Sequence, residues 1–354
     1  MNFCSDNTTG IAPEIMAALA AANDGQAMPY GDDPATARLA ALFGALFEAE
    51  VEVFPLTTGT AANALALSVM VPPFGAVYCH RDAHVHVDEC GAPEFYTGGA
   101  KLVPLDGRDG RLEAAALAAA LGEAEIGNVH QVQPAALSLT QATECGTVYT
   151  PDEIAALAEV ARAYGLGVHM DGARFANAVA HLGCTPAEAT WRAGVDILSF
   201  GATKNGALAA EALVVFRPEL AREIGYRRKR AGHLWSKMRF ISVQLEAYIA
   251  DGLWLRNAAR ANRLAAALAR GLADVPGSEL VHPVHGNALF VRLPEPAIAG
   301  LLADGFAFYR WGGETATTLR LVTAFDTRDA DVEAFVAAAR RHAGNKDQKI
   351  VGAQ

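Results

Sequence analysis

Apolar residues along the chain fall into short unbroken runs, each followed by a longer stretch with helical spacing. Runs at 51–54, 77–80, 102–105, 135–139, 167–170, 195–200 and 213–216 predict strands. They lack the polar–apolar alternation of half-exposed strands, so they predict strands buried on both faces. Between them the spacing predicts helices over 33–47, 60–70, 112–121 and 150–164. Two of these open on capping chemistry, Asp33 before Pro34 and Thr150 before Pro151. The repeated alternation predicts an α/β fold with a mostly parallel sheet covered by helices.

The character changes after about residue 240. A helical pattern runs from 241 to 273 with a break near Gly252. Short strands follow at 280–281, 288–293, 306–309 and 319–323, with helices at 296–303 and 329–340. This predicts a large domain over residues 1–240, to whose site the N-terminal segment contributes, and a small C-terminal α+β domain over 241–354. The polar stretch 345–354 is expected to fray.

Composition narrows the function classes. With 354 residues, 52% hydrophobic and 19% charged, the chain can bury a sizeable core, which excludes disorder as its main state. A net charge of −10 disfavours nucleic acid and anionic membrane as partners. The five cysteines are scattered and form no CxxC pair, so reduced thiols and a cytoplasmic protein are expected. No basic stretch precedes the first apolar run, so no secretory signal is expected. The uncharged stretch 53–79 is long enough to span a bilayer. Its Pro55, Gly59, Asn63, Pro72, Pro73 and Gly75 punctuate it instead as strand, turn, buried helix, turn and strand.

The chain uses arginine for ordinary surface charge: of 29 basic residues only six are lysine. Lys204 is therefore conspicuous. It follows a strand, and no other charge lies between Asp196 and Glu211. Poor solvation lowers an amine's pKa and makes it nucleophilic, as a Schiff-base lysine requires. The bland alternative is a loop lysine in solvent. Asp171 ends another apolar run, where a carboxylate needs a cationic or hydrogen-bonding partner; it is either a helix cap paired with Arg174 or the partner of a protonated ring nitrogen. Thr58-Gly59-Thr60 joins a strand to a helix, as an ordinary capped turn or as a phosphate site. His84, His86, Asp88 and Glu89 cluster locally. They supply no clear fourth metal ligand, so no metal is expected, and an imidazole stacked on a planar ring is the other reading. The chain carries no P-loop, HExxH, GxSxG or strand-following GxGxxG signature. A phosphate cup, a stacking imidazole, a strand-end Asp and a strand-end Lys, in that order, suit pyridoxal 5′-phosphate (PLP).

These residues also carry a resemblance. Ser5-Asp6-Asn7, Tyr30-Gly31-Asp32-Asp33-Pro34, Thr58-Gly59-Thr60-Ala61-Ala62-Asn63, Ala83-His84, His169-Met170-Asp171-Gly172-Ala173-Arg174, Thr203-Lys204-Asn205 and Arg320 together make the chain similar to the low-specificity L-threonine aldolases of the fold-type I PLP enzymes. The run 138–144 resembles a bacterial subgroup. The resemblance implies that Lys204 forms the Schiff base, Asp171 holds the pyridine nitrogen protonated and His84 stacks on the ring. It implies phosphate contacts from Thr58, Gly59 and Thr60, and substrate contacts from Ser5, Tyr30, Arg174 and Arg320. Arg174 would also meet the ring hydroxyl. Lys229 and Arg239 correspond to basic residues that reach the phosphate from a neighbouring subunit, implying a homodimer or homotetramer with shared sites.

One departure stands out. Many relatives carry a histidine where this chain has Glu144, which leaves the base for the β-hydroxyl open between His84 and His86. The expected reaction is cleavage of L-threonine, L-allo-threonine or related β-hydroxy-α-amino acids to glycine and an aldehyde. The rivals are an aminotransferase or β-eliminating lyase on the same fold, and a catalytically silent PLP-binding protein.

Overall fold

A computed structural model describes residues 1–344. The expectation for 345–354 lies outside the described residues. Seven strands form the large sheet: β1 (Glu52–Leu56), β2 (Gly75–His80), β3 (Lys101–Leu105), β4 (Gln133–Thr140), β5 (Gly167–Gly172), β6 (Ile197–Gly201) and β7 (Glu211–Val215), in the order β1-β7-β6-β5-β4-β2-β3. The neighbours from β6 through β3 are all parallel. Strand β7 runs antiparallel to both of its neighbours. Only residues 202–210 join β6 to β7, too few for the crossover that a parallel return needs.

The helices follow from their caps. Asp33 accepts the N–H of Thr36 at 2.9 Å and opens Pro34–Phe47. Thr150 and Glu153 form a reciprocal capping box at the start of Pro151–Ala163. The long helical pattern bends where the sequence predicts. Helix Arg239–Ile249 ends, Asp251 and Gly252 take φ of +51° and +68°, and helix Leu253–Ala273 begins. Among the described residues no helix is long and apolar enough to cross a membrane. The stretch 53–79 divides into β1, the helix Gly59–Met70 and β2.

The small sheet is antiparallel, ordered β10 (Tyr309–Arg310), β11 (Thr318–Val322), β9 (Ala288–Arg292) and β8 (Glu279–Leu280). The strand predicted at 306–309 is displaced. Ala307 pairs instead with the chain start, accepting the N–H of Phe3 at 2.8 Å and donating to the carbonyl of Met1 at 2.9 Å. Phe3 is buried against Phe335, its ring centroid 5.1 Å away, so the N-terminal segment is part of this layer. Two main apolar clusters hold the chain together. One packs Phe43, Phe47, Phe175, Phe200, Tyr248 and Trp254 against the large sheet; the other packs Leu264, Leu268, Leu272 and Phe335 against the small one. Helix Leu253–Ala273 contributes to both and fixes the small sheet relative to the large.

Candidate active site

The carboxyl ends of β2, β4, β5 and β6 meet at one edge of the large sheet, where open α/β sheets bind ligands. The register sets Thr140 beside Asp171, Asp171 beside Ser199, and Gly201 beside Glu211. Lys204 sits three residues past β6 in the turn Thr203–Asn205, which Gly206 closes at φ +118°. Burial, followed by the positive charge of Arg174, lowers the pKa of Lys204, as the uncharged stretch around it predicts.

Asp171 is buried at the end of β5. Its Oδ1 accepts the N–H of Ala173 at 2.9 Å and its Oδ2 accepts from Asn63 Nδ2 at 2.8 Å. The same Asn63 nitrogen donates to Glu89 Oε1 at 2.7 Å, and His84 Nδ1 donates to that oxygen at 2.8 Å. A continuous chain thus runs His84–Glu89–Asn63–Asp171. The Glu89 bond raises the His84 pKa, against the opposing pull of burial. Burial raises Glu89 itself. With Nδ1 committed to a carboxylate, Nε2 is the nitrogen left to accept a proton. His84, Glu89 and Asp171 each offer one atom within 4.8 Å of the others. Asn63 links the two carboxylates, and the His84 ring joins them through the same Glu89 oxygen.

At the opposite side of Asn63, Thr58 caps its helix by accepting the N–H of Ala61 at 3.2 Å. The N–H groups of Gly59 and Thr60, first in that helix, have no intrahelical acceptor. A Cβ on Gly59 would meet nothing within 4 Å, so the helix end is open to a ligand. An open helix N-terminus, a buried carboxylate, an amine of lowered pKa and an imidazole on one sheet edge match the phosphate, ring nitrogen, carbonyl carbon and planar ring of PLP.

The substrate side is more occupied than the sequence suggests. Arg174 donates from Nε and Nη2 to both oxygens of Asp6, at 2.7 and 2.8 Å. Asn287 of the small domain donates to Asp6 as well, at 3.0 Å. Ser5 caps the turn Asp6–Thr8 through the N–H of Asn7 at 3.1 Å. Arg320, on β11, lies over the Trp311 ring at 5.7 Å. Burial and the charge of Arg174 push it down to about 10, still cationic at neutral pH.

Other expected residues lie elsewhere. His86 is exposed on the turn of helix His84–Val87. Lys229 Nζ sits 4.6 Å from the ring centroid of Tyr30, which is 47% exposed at φ +62°. Arg239 donates to the carbonyl of Gly25 at 3.4 Å. None of these three hydrogen-bonds to Lys204, Asp171 or His84. The structure adds Asp6, Asn63, Glu89, Glu211 and Asn287, to which the sequence assigns no role. Glu211 is buried, accepts the N–H of Ala202 at 3.2 Å and is pushed up to about 7 by burial. Its only signal in the sequence is that it closes the uncharged stretch after Lys204.

Known proteins resemble this chain in sequence and fold. A profile described as "Beta-eliminating lyase" matches residues 2–295. The chain is 46% identical to a low specificity L-threonine aldolase of a Pseudomonas species, covering 95% of this chain and 96% of that one. It is 48% identical to the protein of the same name from Pseudomonas aeruginosa, over 92% and 93%. A Leishmania major threonine aldolase structure superposes with a TM-score of 0.90 at 30% identity, covering 97% of this chain and 99% of that one. An aspartate aminotransferase from Rhodobacter sphaeroides shares only the fold, with a TM-score of 0.67 at 20% identity. The chain belongs to the β-eliminating lyase family of fold-type I PLP-dependent enzymes and, within it, to the low-specificity L-threonine aldolases.

Proposed function

We propose that the protein cleaves L-threonine, L-allo-threonine and related β-hydroxy-α-amino acids to glycine and an aldehyde, with Lys204, Asp171 and His84 at the reacting centre. The observation that carries this reading is the His84–Glu89–Asn63–Asp171 chain beside Lys204. It puts a proton acceptor and a fixed negative charge on one sheet edge.

Thr58, Gly59 and Thr60 would hold the cofactor phosphate at the helix end, Asp171 would keep its ring nitrogen protonated and Lys204 would supply the amine for its carbonyl carbon. When bound, PLP supplies the sink for the electron pair released from the Cα–Cβ bond. The chain's own residues do the rest. Arg320, together with Ser5, binds the substrate carboxylate and sets the orientation of the Cα–Cβ bond. His84 Nε2 accepts the β-hydroxyl proton as that bond breaks, and Cβ leaves as the aldehyde carbonyl. A proton returned to Cα completes glycine. Arg174 orders this side through Asp6 while its charge helps lower the Lys204 pKa.

The active assembly is a homodimer or homotetramer of cytoplasmic protein. Met28, Tyr30, Tyr226 and Trp235 are exposed, Lys229 lies against Tyr30, and Lys229 and Arg239 would each reach the phosphate of a neighbouring protomer. The two apolar clusters support a large and a small domain but change over later than residue 240: Tyr248, Trp254 and Ala258 still pack with the large sheet, while the small cluster runs from Leu264 and takes in Phe3.

The test is to supply L-threonine, L-allo-threonine and D-threonine separately and measure acetaldehyde and glycine. Equimolar release from the L-isomers is expected. A keto acid in their place would make the protein an aminotransferase, and no product with any isomer would make it catalytically silent.

A further inference from the structure

Glu144 is a buried acid that the reading above leaves without a task. It lies in the loop between β4 and helix Pro151–Ala163, and that loop is held tightly. Gln141 Nε2 donates to the Tyr149 carbonyl at 2.9 Å, and the Tyr149 N–H returns a bond to Gln141 Oε1 at 3.0 Å. The Thr143 and Thr147 hydroxyls bond at 2.8 Å. The small domain grips the loop as well, Gly286 donating its N–H to the Gly146 carbonyl at 3.1 Å. Gly146 sits at φ +76°, and a Cβ there would lie 2.6 Å from the Ala288 carbonyl oxygen, so a side chain at this position is excluded.

From this fixed loop Glu144 Oε1 accepts the backbone N–H of His84 at 2.7 Å. His84 is the first residue of its short helix, and the preceding Ala83 supplies no side-chain cap. Glu144 supplies that cap from 60 residues away. Its other oxygen, Oε2, is buried and among the described residues meets no donor with hydrogen-bond geometry, while the nearby Thr140 hydroxyl eases the charge of the carboxyl. Leaving a carboxylate oxygen unpartnered in the interior is costly, so an acid kept there needs a compensating role. Burial pushes the group up to about 7, and the neighbouring Asp171 charge adds to the rise.

We infer that Glu144 is a positioning residue for His84: it clamps the His84 backbone from the β4 loop and so fixes where the imidazole meets the substrate's β-hydroxyl. The inference rests on the reading of His84 as the hydroxyl-side base. His84 is then held at two points, its backbone by Glu144 and its ring by Glu89. The same loop bonds to the small domain that carries Arg320, so the carboxylate holder and the proton acceptor share one frame.

The experiment compares Glu144→Gln and Glu144→Ala in the full-length, cofactor-loaded enzyme. Glutamine keeps an acceptor oxygen for the His84 N–H; alanine removes it. Histidine labelled with ¹⁵N on the ring reports the His84 imidazole among the ten histidines, its signals assigned by their loss in His84→Asn. Glu144→Ala should shift the His84 ring resonances and their titration. It should lower kcat about tenfold to a hundredfold with KM within about threefold, the scale of misplacing a reacting group by a fraction of an ångström to an ångström. Glu144→Gln should keep the wild-type signals and stay within about threefold of wild-type kcat. Unchanged His84 resonances in Glu144→Ala, or equal losses in both variants, would overturn the positioning role. The base assignment fails separately: His84→Asn with near-normal kcat would refute it, whereas the resonance shift in Glu144→Ala would still report the clamp.

Discussion

Replacing Asp6 by alanine strips the partner from a buried guanidinium. The Asp6 side chain is 1% exposed and that of Arg174 15%, and two short bonds join them. Removing one member of such a pair leaves an uncompensated charge in the interior, which costs about 3–5 kcal/mol. Asn287 adds little to the loss, because its amide keeps a second acceptor in the Thr323 carbonyl at 2.8 Å. The residual exposure of Arg174 points to the lower end, about 3 kcal/mol, a large share of the roughly 5–15 kcal/mol that stabilises a folded domain. The double variant Asp6→Ala/Arg174→Met removes the stranded charge and should recover most of the loss. The assay is urea unfolding at fixed protein concentration, with an unchanged slope and a displaced midpoint. Burial alone would raise the Asp6 pKa, but Arg174, with Lys204 and Asn287, outweighs it and holds the carboxyl below its ordinary value. A depressed carboxyl contributes fully above its unfolded pKa, about 3.9, and loses that contribution as pH falls through the folded value. The gap between wild type and Asp6→Ala should therefore be constant from about pH 5 upward and close below about pH 4. A loss under about 1 kcal/mol, a double variant no more stable than the single one, or a gap that widens in acid would refute the buried-pair account.

Lys204→Ala should lose the visible absorbance of the bound cofactor and nearly all turnover; a borohydride-trapped adduct in that variant would move the Schiff base to another lysine. Asp171→Asn should retain cofactor through the helix end while cleavage falls about a hundredfold or more, and equal losses in affinity and rate would make Asp171 structural. Arg320→Ala should raise KM for amino-acid substrates roughly tenfold to a hundredfold, the value of a charge-assisted hydrogen bond, with the cofactor spectrum unchanged; an unaltered KM removes Arg320 from the site. Mixing inactive Lys204→Ala protomers with inactive Lys229→Ala/Arg239→Ala protomers should restore partial activity, because one hybrid site then carries every wild-type group. Verified subunit exchange without recovery would defeat the shared site.

How far the sequence could be read depended on the range of the contacts. The caps at Asp33 and Thr150 and the bend at Gly252 are decided within a few residues, and the structure places them where the pattern does. Asp171 and Lys204 were visible for the same reason: a charge at the end of an apolar run is anomalous in its own neighbourhood. Strand direction is another matter. Nothing in the apolar run of β7 distinguishes antiparallel from parallel; only the short connection from β6 decides it. The strand expected at 306–309 was lost to a competitor, because hydrophobic spacing cannot say that residues from the opposite end of the chain will pair with Ala307. The missed site residues share this property. Glu89 stands near His84 in the sequence, but its link to Asp171 runs through Asn63, 26 residues away, and Asp6 gains its partners in Arg174 and Asn287, 168 and 281 residues away. In isolation each looks like an ordinary surface acid or amide. What marks Asp6 and Glu89 as site candidates is the low exposure and the charged partner that folding supplies, and both are properties of the packed sheet edge rather than of any local run.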